Sequence, residues 1–395
     1  MARRAAAGIT FLVVFLTVAV GLHAYLAERL ALAPAWPEPV RAGLLALIGG
    51  GFAALLAQAF ARRRLGVVWR ALAWTAYAWL GAAFLLFTTT LATDAVLWLL
   101  GAAAPAGWTD GVAVARGRAL LVGVVGTALT GLALRHGLAP PRLRRVELAL
   151  ARWPRALDGF RIVQISDVHI GPLLDRRFAA GIAERVNALA PDLVAVTGDL
   201  VDGSVGRVGD EVAPLGAIQA RHGVWFVTGN HDYYSGADAW VARMTGLGWH
   251  PLRNRSVSIE ADGCAFELAG VDDHHGALVD PGGGEDLGRA LDLRDPARPV
   301  VLLAHDPTTF RRASRLGVDL QLSGHTHGGQ IWPFRWLVRL AVPWIAGLHR
   351  EGESLLYVSC GTGFWGPPMR LGAPAEITEL VLHAASTPAS VPGVS

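Results

Sequence analysis

Four apolar runs at about residues 5–26, 42–61, 71–92 and 119–134 constrain this chain more than any other feature of its sequence. They reach or approach the ~20 residues that a helix needs to cross a hydrocarbon core. Arg3 and Arg4 precede the first run, which makes a secretory signal, even a twin-arginine one, the competing reading. A cleaved signal accounts for one run and leaves three like it unexplained, so all four are read as transmembrane helices of an all-α membrane region, residues 1–145. The balance of the whole chain agrees: 52% of its 395 residues are hydrophobic, 17% are charged and the mean hydropathy is +0.38, too apolar for an ordinary soluble enzyme.

The basic residues then orient the helices. The sequence has no lysine, and its pI of about 9.2 comes from a net charge of only +3. Many arginines flank the apolar runs, which points to membrane orientation in preference to nucleic-acid binding. Arg3, Arg4, Arg62, Arg63, Arg64, Arg70, Arg135, Arg142, Arg144 and Arg145 fall on one side of a four-helix arrangement. Arg29, Arg41, Arg116 and Arg118 fall on the other, offset by Glu28, Glu38 and Asp110. Positive-inside bias therefore puts both termini in the cytoplasm. Trp36, Trp69, Trp98 and Trp108 sit near helix ends, where indoles favour the interface. Asp94 is the one acid deep in an apolar stretch, and such acids can mark ion pathways. The stretch 71–101 is too long for one span, so Asp94 is expected at the far interface.

From residue 146 the pattern changes to that of an α/β domain, 146–385. Runs at 146–150, 161–165, 193–197, 224–227, 266–271, 300–304, 319–322 and 355–359 read as strands. Phe178, Ile182, Val186 and Leu189 recur at helical spacing before Pro191, and strands separated in this way imply βαβ units. Pro281-Gly282-Gly283-Gly284 is a turn without the pattern of a phosphate-binding loop, and residues 386–395 read as a disordered tail. Cys264 and Cys360, far apart and without a CxxC, read as free thiols that are buried or half-buried.

Five clusters of ligand-type side chains follow five of these strands: Asp167/His169, Asp199, Asn230/His231/Asp232, His305 and His325/His327. Ligands gather at the carboxyl ends of strands in open α/β sheets. Oxygen and imidazole donors without thiolate suit Mn²⁺, Fe or Zn²⁺ and argue against a structural zinc site. In extended backbone, residues two apart point the same way, which explains Asp167-Val168-His169 and His325-Thr326-His327. Gly198, Gly229 and Gly324 each precede a ligand, where a missing Cβ permits close approach. Seven or so ligands exceed the needs of one tetrahedral ion, whereas two metals about 3.5 to 4 Å apart and bridged by a carboxylate would use them all.

In this order the motifs Asp167-x-His169, Gly198-Asp199-x-x-Asp202, Gly229-Asn230-His231-Asp232, His305 and Gly324-His325-x-His327 resemble the complete set of the calcineurin-like metallophosphoesterases. The segments 166–171 and 324–331 are most similar to the bacterial branch that includes membrane-associated phosphohydrolases. The resemblance covers about residues 146–383 and implies a four-layer αββα sandwich after the membrane region. By position it implies one metal held by Asp167, His169, Asp199 and His327, and another by Asp199, Asn230, His305 and His325. The ions would polarise phosphoryl oxygens and generate a hydroxide for in-line attack. His231 would stabilise the transition state or protonate the leaving oxygen, with Asp232 orienting its imidazole, and Asp202 would lie behind the ligands.

Residues outside the motifs carry weaker expectations. His222, His250, His274, His275 and His349 read as surface or structural, although His274/His275 after Asp272/Asp273 form a polar loop that could border the site. Arg176 and Arg177 at a helix start are expected to be solvated, although they could reach a substrate phosphate. Trp332, Phe334, Trp336 and Trp344, with Arg335 and Arg339, could lie on the bilayer or hold acyl chains. Ordinary packing between the last strands is the expectation there. The chain is thus expected to be a phosphohydrolase with two divalent ions, its catalytic domain in the cytoplasm at a bacterial inner membrane. Its substrate would be phosphorylated, as a small molecule or a lipid, with membrane lipids as partners and neither nucleic acid nor an obligate protein partner implied. The alternative is a catalytically silent metal-binding scaffold or sensor; a transporter reading rests on Asp94 alone.

Overall fold

The structure, a computed structural model, describes residues 2–61, 66–102, 109, 111–279 and 283–385. Arg62, Arg63, Arg64, Trp108, Asp110, Pro281, Gly282 and the tail 386–395 lie outside the described residues, so the expectations placed on them are not addressed. The chain divides into two compact units, Met1–Leu138 with Gly366–Met369, and Ala139–Trp365 with Arg370–Ser395.

In the first unit, α1 (Ala2–Ala27), α2 (Glu38–Ala61), α3 (Gly66–Gly101) and α4 (Val112–Leu138) are the four helices expected. All four contain windows long and apolar enough to cross a membrane. They present apolar side chains nearly all round, as helices facing lipid must. Asp94, in the last turns of α3, is fully engaged: Arg29 Nε lies 2.9 Å away, Arg118 Nη1 2.9 Å and the Tyr25 hydroxyl 2.8 Å. One carboxylate thereby ties the end of α1, α3 and α4 together, which makes its role structural. The Trp79 indole donates to His23 Nε2 at 2.9 Å and links α3 to α1 in the same manner.

The second unit contains two six-stranded sheets. The first comprises β1 (Arg142–Leu150), β2 (Phe160–Ile165), β3 (Leu193–Thr197), β4 (Val224–Val227), β5 (His250–Pro251) and β12 (Glu376–Ala384), in the order β1-β12-β2-β3-β4-β5. The second comprises β6 (Arg255–Ala261), β7 (Cys264–Gly270), β8 (Val300–Leu303), β9 (Leu320–Ser323), β10 (Gly347–Glu351) and β11 (Ser354–Val358), in the order β10-β11-β9-β8-β7-β6. Strands β2 to β5 run parallel, as do β7, β8, β9 and β11.

The period-two alternation of strand side chains sorts the residues into layers. Ile162, Leu193, Ala195, Val301, Leu303, Leu320, Leu322, Leu355 and Tyr357 fill one core between the sheets. Their neighbours Val163, Val194 and Val196 face a second core, with residues of the helices Arg176–Ala188, Val205–Val212 and Ala237–Thr245. Val300 and Leu302 face a third, with Leu287, Ala290 and Leu291. This is the four-layer αββα arrangement.

Five strands depart from the sequence reading, which has no counterpart of β5, β6, β10 or β12 and begins β1 late. β1 begins at Arg142, not 146, because its full length pairs in register with β12, Arg142 opposite Glu376 through Leu150 opposite Ala384. β12 itself was not read as a strand, since its buried positions include Glu376, Thr378 and Glu379. The fold satisfies them locally: Tyr357 Oη and the Cys360 amide donate to Glu376, and Arg144 and Arg145 pair with Glu376 and Glu379. Cys264 is half-buried and Cys360 buried, both as free thiols, as expected.

Candidate metal centre

Each of the five ligand clusters follows a strand that ends on the same side: Asp167 after β2, Asp199 after β3, Asn230 after β4, His305 after β8 and His325 after β9. The first three come from one sheet and the last two from the other, and the cleft where the sheets meet brings them together. His305 Nε2 lies 3.2 Å from Asp199 Oδ2, and His327 Nε2 lies 3.4 Å from Asp167 Oδ1, both across the sheets. Two glycines make this approach possible. A Cβ at Gly229 would overlap the Asp199 carboxylate, and one at Gly324 would overlap Ser166 Oγ and Asp167 Oδ2.

The backbone is bent for the purpose. Asp167, His169, Asp199, His325 and His327 all have φ between 50° and 71°. Non-glycine residues there are strained, and such strain persists only where the surroundings hold it. The i, i+2 pairs therefore reach the site from left-handed turns after the strands, not from the extended backbone that the spacing suggested.

The donors fall into groups that could each hold a cation. Asp167, His169 and His327 form one, and Asp199, His305 and His325 another, with the ligand atoms of each within 4.8 Å of one another. Asp199 also groups with His169 and His231, so its carboxylate faces both sides. Asn230 Oδ1 lies 3.1 Å from His325 Nδ1, which adds the amide to the second group. The ligating atoms are imidazole nitrogens and carboxylate or amide oxygens, a set that fits Mn²⁺, Fe or Zn²⁺.

Electrostatics prepares the site for cations. Burial alone would raise the Asp199 carboxyl, but His305, His231 and His169 hold it well below the usual carboxylate range. Burial likewise opposes protonation of His169, yet Asp202, Asp199 and Asp167 push its imidazole up to about 9. Burial also opposes protonation of His305, yet Asp199, Asp167 and Asp273 drive it well above its ordinary value. His327 behaves oppositely: burial, His169 and Arg370 push it well below the ordinary range, so it is neutral and free to ligate. His325 is also lowered, by burial and by His305.

One expectation is corrected. Asp232 does not orient His231: its carboxylate turns away and accepts from the backbone N–H groups of Asp199, Leu200 and Gly229 at 2.8–3.0 Å. Asn230–Ser235 is a short helix, and consecutive residues on a helix do not face each other. The partner of His231 is Asp202, whose Oδ1 lies 2.7 Å from His231 Nδ1 and 3.1 Å from His169 Nδ1. One carboxylate thus aims both His231 and His169. Asp232 instead fixes the turn on which Asp199 sits.

Three neighbours escaped sequence reasoning. The Arg370 guanidinium is fully buried and lies 3.2 Å from His327 Nδ1, held by the Gly363 and Ala373 carbonyls. Asp306 Oδ2 lies 3.8 Å from His325 Nε2. The half-exposed Trp365 ring packs edge-on against His231, 5.7 Å between centroids. Arg370 and Trp365 belong to no motif; the one available signal was Asp306, adjacent to a ligand. Arg176 lies elsewhere, bonded to Asp210 and Glu211 on an exposed helix start. The aromatic stretch differs in part from expectation: Trp332, Phe334, Trp336, Leu337 and Leu340 are exposed, the last by 85%, whereas Ile331, Val342 and Ile345 are buried and Trp344 packs against Phe310.

Comparison with known proteins bears on this geometry. Residues 160–329 match the family model described as calcineurin-like phosphoesterase. The chain is 41% identical over 279 residues to the Bos taurus transmembrane protein with metallophosphoesterase domain, covering 68% of this chain and 63% of that one. It is 37% identical over 249 residues to a Helicobacter pylori metallophosphoesterase, covering 62% and 65%. With the Bacillus subtilis metallophosphoesterase YkuE it shares 32% over 240 residues, covering 58% of this chain and 82% of the relative. The chain thus spans less than two thirds of the first two relatives and most of the third.

Proposed function

The chain belongs to the calcineurin-like metallophosphoesterases, metal-dependent hydrolases of phosphoesters, and we propose that it uses two divalent ions to cleave a phosphoester or pyrophosphate bond of a lipid-linked substrate. The observation that carries the dinuclear reading is Asp199, whose carboxylate belongs to ligand groups on both sides. Asp167, His169, Asp199 and His327 would hold one ion, and Asp199, Asn230, His305 and His325 the other. Bound there, the ions supply a Lewis acid for the phosphoryl oxygens and an activated water for in-line attack.

The protein's own groups do the rest. Asp202 occupies His231 Nδ1, so Nε2 is the atom that meets the leaving oxygen and gives it a proton. Trp365 and Tyr234 flank that ring and limit its rotation. Burial and His169 lower His327 most, and the buried Arg370 adds to that and fixes its ring.

The lipid reading is supported by the exposed segment after His327. Trp332, Trp336, Leu337 and Leu340 stand in solvent beside Arg335 and Arg339, a composition suited to a bilayer interface or to acyl chains. Turnover of micellar lipid phosphates and of water-soluble phosphodiesters by the purified full chain tests it. Faster cleavage of the lipids is expected, and a clear preference for soluble diesters overturns the lipid reading alone. The arginine asymmetry supports a cytoplasmic catalytic domain at a bacterial inner membrane. A reporter fused to the C-terminus is expected to be active only if of the cytoplasmic type; activity of a periplasmic reporter reverses the orientation.

A further inference from the structure

Just beyond β7, Asp272 and Asp273 are neighbours in sequence with opposite fates. Asp272 is saturated: Thr228 Oγ1 donates to Oδ1 at 3.1 Å, and Arg253 Nε donates to Oδ1 at 3.0 Å and Oδ2 at 3.1 Å. Asp273 is equally buried, at 2% exposure, but uses only one oxygen. Its Oδ1 accepts from the His275 amide at 2.8 Å and faces His275 Nδ1 at 2.9 Å. Its Oδ2 is shut from water and has no hydrogen-bond partner among the described residues. A carboxylate oxygen left so is costly, because it has lost its hydration without replacement.

Two imidazoles stand over this carboxylate. The His274 and His275 rings lie 4.1 Å apart between centroids, and one nitrogen from each, with an Asp273 oxygen, falls within a 4.8 Å span. Asp273 Oδ1 and His275 Nδ1 share a proton that a cation can replace, which leaves the carboxylate and that nitrogen on the same side. A second carboxylate adds negative charge, since Asp306 Oδ2 lies 3.7 Å from His274 Nδ1. The same oxygen reaches towards His325, so the group adjoins the metal centre without sharing a ligand with it.

We propose that Asp273, His274 and His275 form a third divalent-cation site, beside the two-ion centre. A cation there takes the Asp273 carboxylate and one nitrogen from each ring, Nδ1 in His275, and so gives the orphaned oxygen a partner. Two imidazoles and a carboxylate suit Zn²⁺ or Mn²⁺ over Mg²⁺ or Ca²⁺. The site is also reachable: the His274 and His275 side chains are 42% and 31% exposed, whereas those of His169 and His305 are 1% and 0%. It is therefore expected to exchange its ion faster and to bind more weakly.

The full chain in detergent, stripped with a chelator and titrated with Mn²⁺ while free Mn²⁺ is followed by electron paramagnetic resonance, measures the stoichiometry at equilibrium. Wild type is expected to take up one ion more per chain than His274→Ala/His275→Ala and than Asp273→Asn, the second variant guarding against a loop that fails to fold. Equal uptake by wild type and a folded variant overturns the site. The proposal rests on the family reading only for its neighbour: because the readout is a difference, a wild-type total other than three counts against the two-ion centre and leaves the third site standing.

Discussion

Asp94 in the helical unit, partly buried, and Asp199 in the sandwich, fully buried, are both acids compensated by cations, yet the compensation differs in kind. Two guanidiniums and a phenol close around Asp94. Arginine is protonated at any ordinary pH and has no lone pair to offer, so that cluster is complete and serves to join helices. Around Asp199 the cations are imidazoles, which can surrender a proton and then bind a metal through the freed nitrogen. An acid among arginines is a clamp; one among histidines is a socket.

The comparison breaks most visibly at Asp199. Asp199→Asn is expected to abolish turnover and to lower metal uptake, measured on the same sample; retention of both ions would show that this carboxylate does not join the two groups. His231→Ala is expected to cut kcat by about 10² to 10⁴, the usual worth of a general acid, with metal content unchanged. A parallel loss of metal would make His231 a ligand instead. Asp202→Asn, which loosens His169 and His231 together, is expected to cost roughly 10- to 100-fold in metal affinity or rate.

The socket should also respond to pH. His169 is raised to about 9 in the metal-free fold, so an incoming ion displaces a proton, and affinity should rise about tenfold per pH unit until that value is reached. The sign for stability is the reverse. The protonated ring contributes fully below its ordinary value near 6.5, and the contribution is lost as pH rises through about 9. Thermal unfolding of metal-stripped protein between these limits should show the loss, and metal-loaded protein should not. The smallest effect on chemistry is expected at the clamp. Asp94→Asn should lower stability by about 2 to 3 kcal/mol through its uncompensated arginines while kcat stays within about twofold. A large fall in kcat with stability intact would reinstate a functional role for Asp94.

The same contrast explains what could be read in advance. The helices were legible because hydrocarbon demands only length and apolarity, which are properties of a linear string. The ligands were legible because strand ends and i, i+2 spacing mark them individually. β12 was hidden, since its buried Glu376 and Thr378 look like surface residues until Tyr357 and the Cys360 amide are placed opposite them. The exposure of Trp336 and Leu340 was hidden for the inverse reason: apolar composition implies burial, and only packing shows which residues the core leaves out.

By itself, then, the sequence determined the membrane region, the α/β class and the seven donors, because each depends on residue type and local spacing. Tertiary structure decided the partnerships. It gave His231 to Asp202 and not to its neighbour Asp232, set Arg370 behind His327, and left Asp273 with an unused oxygen beside two imidazoles. The physical reason is geometric: neighbours on a helix diverge, whereas residues from separate strands of two sheets converge where the strands end.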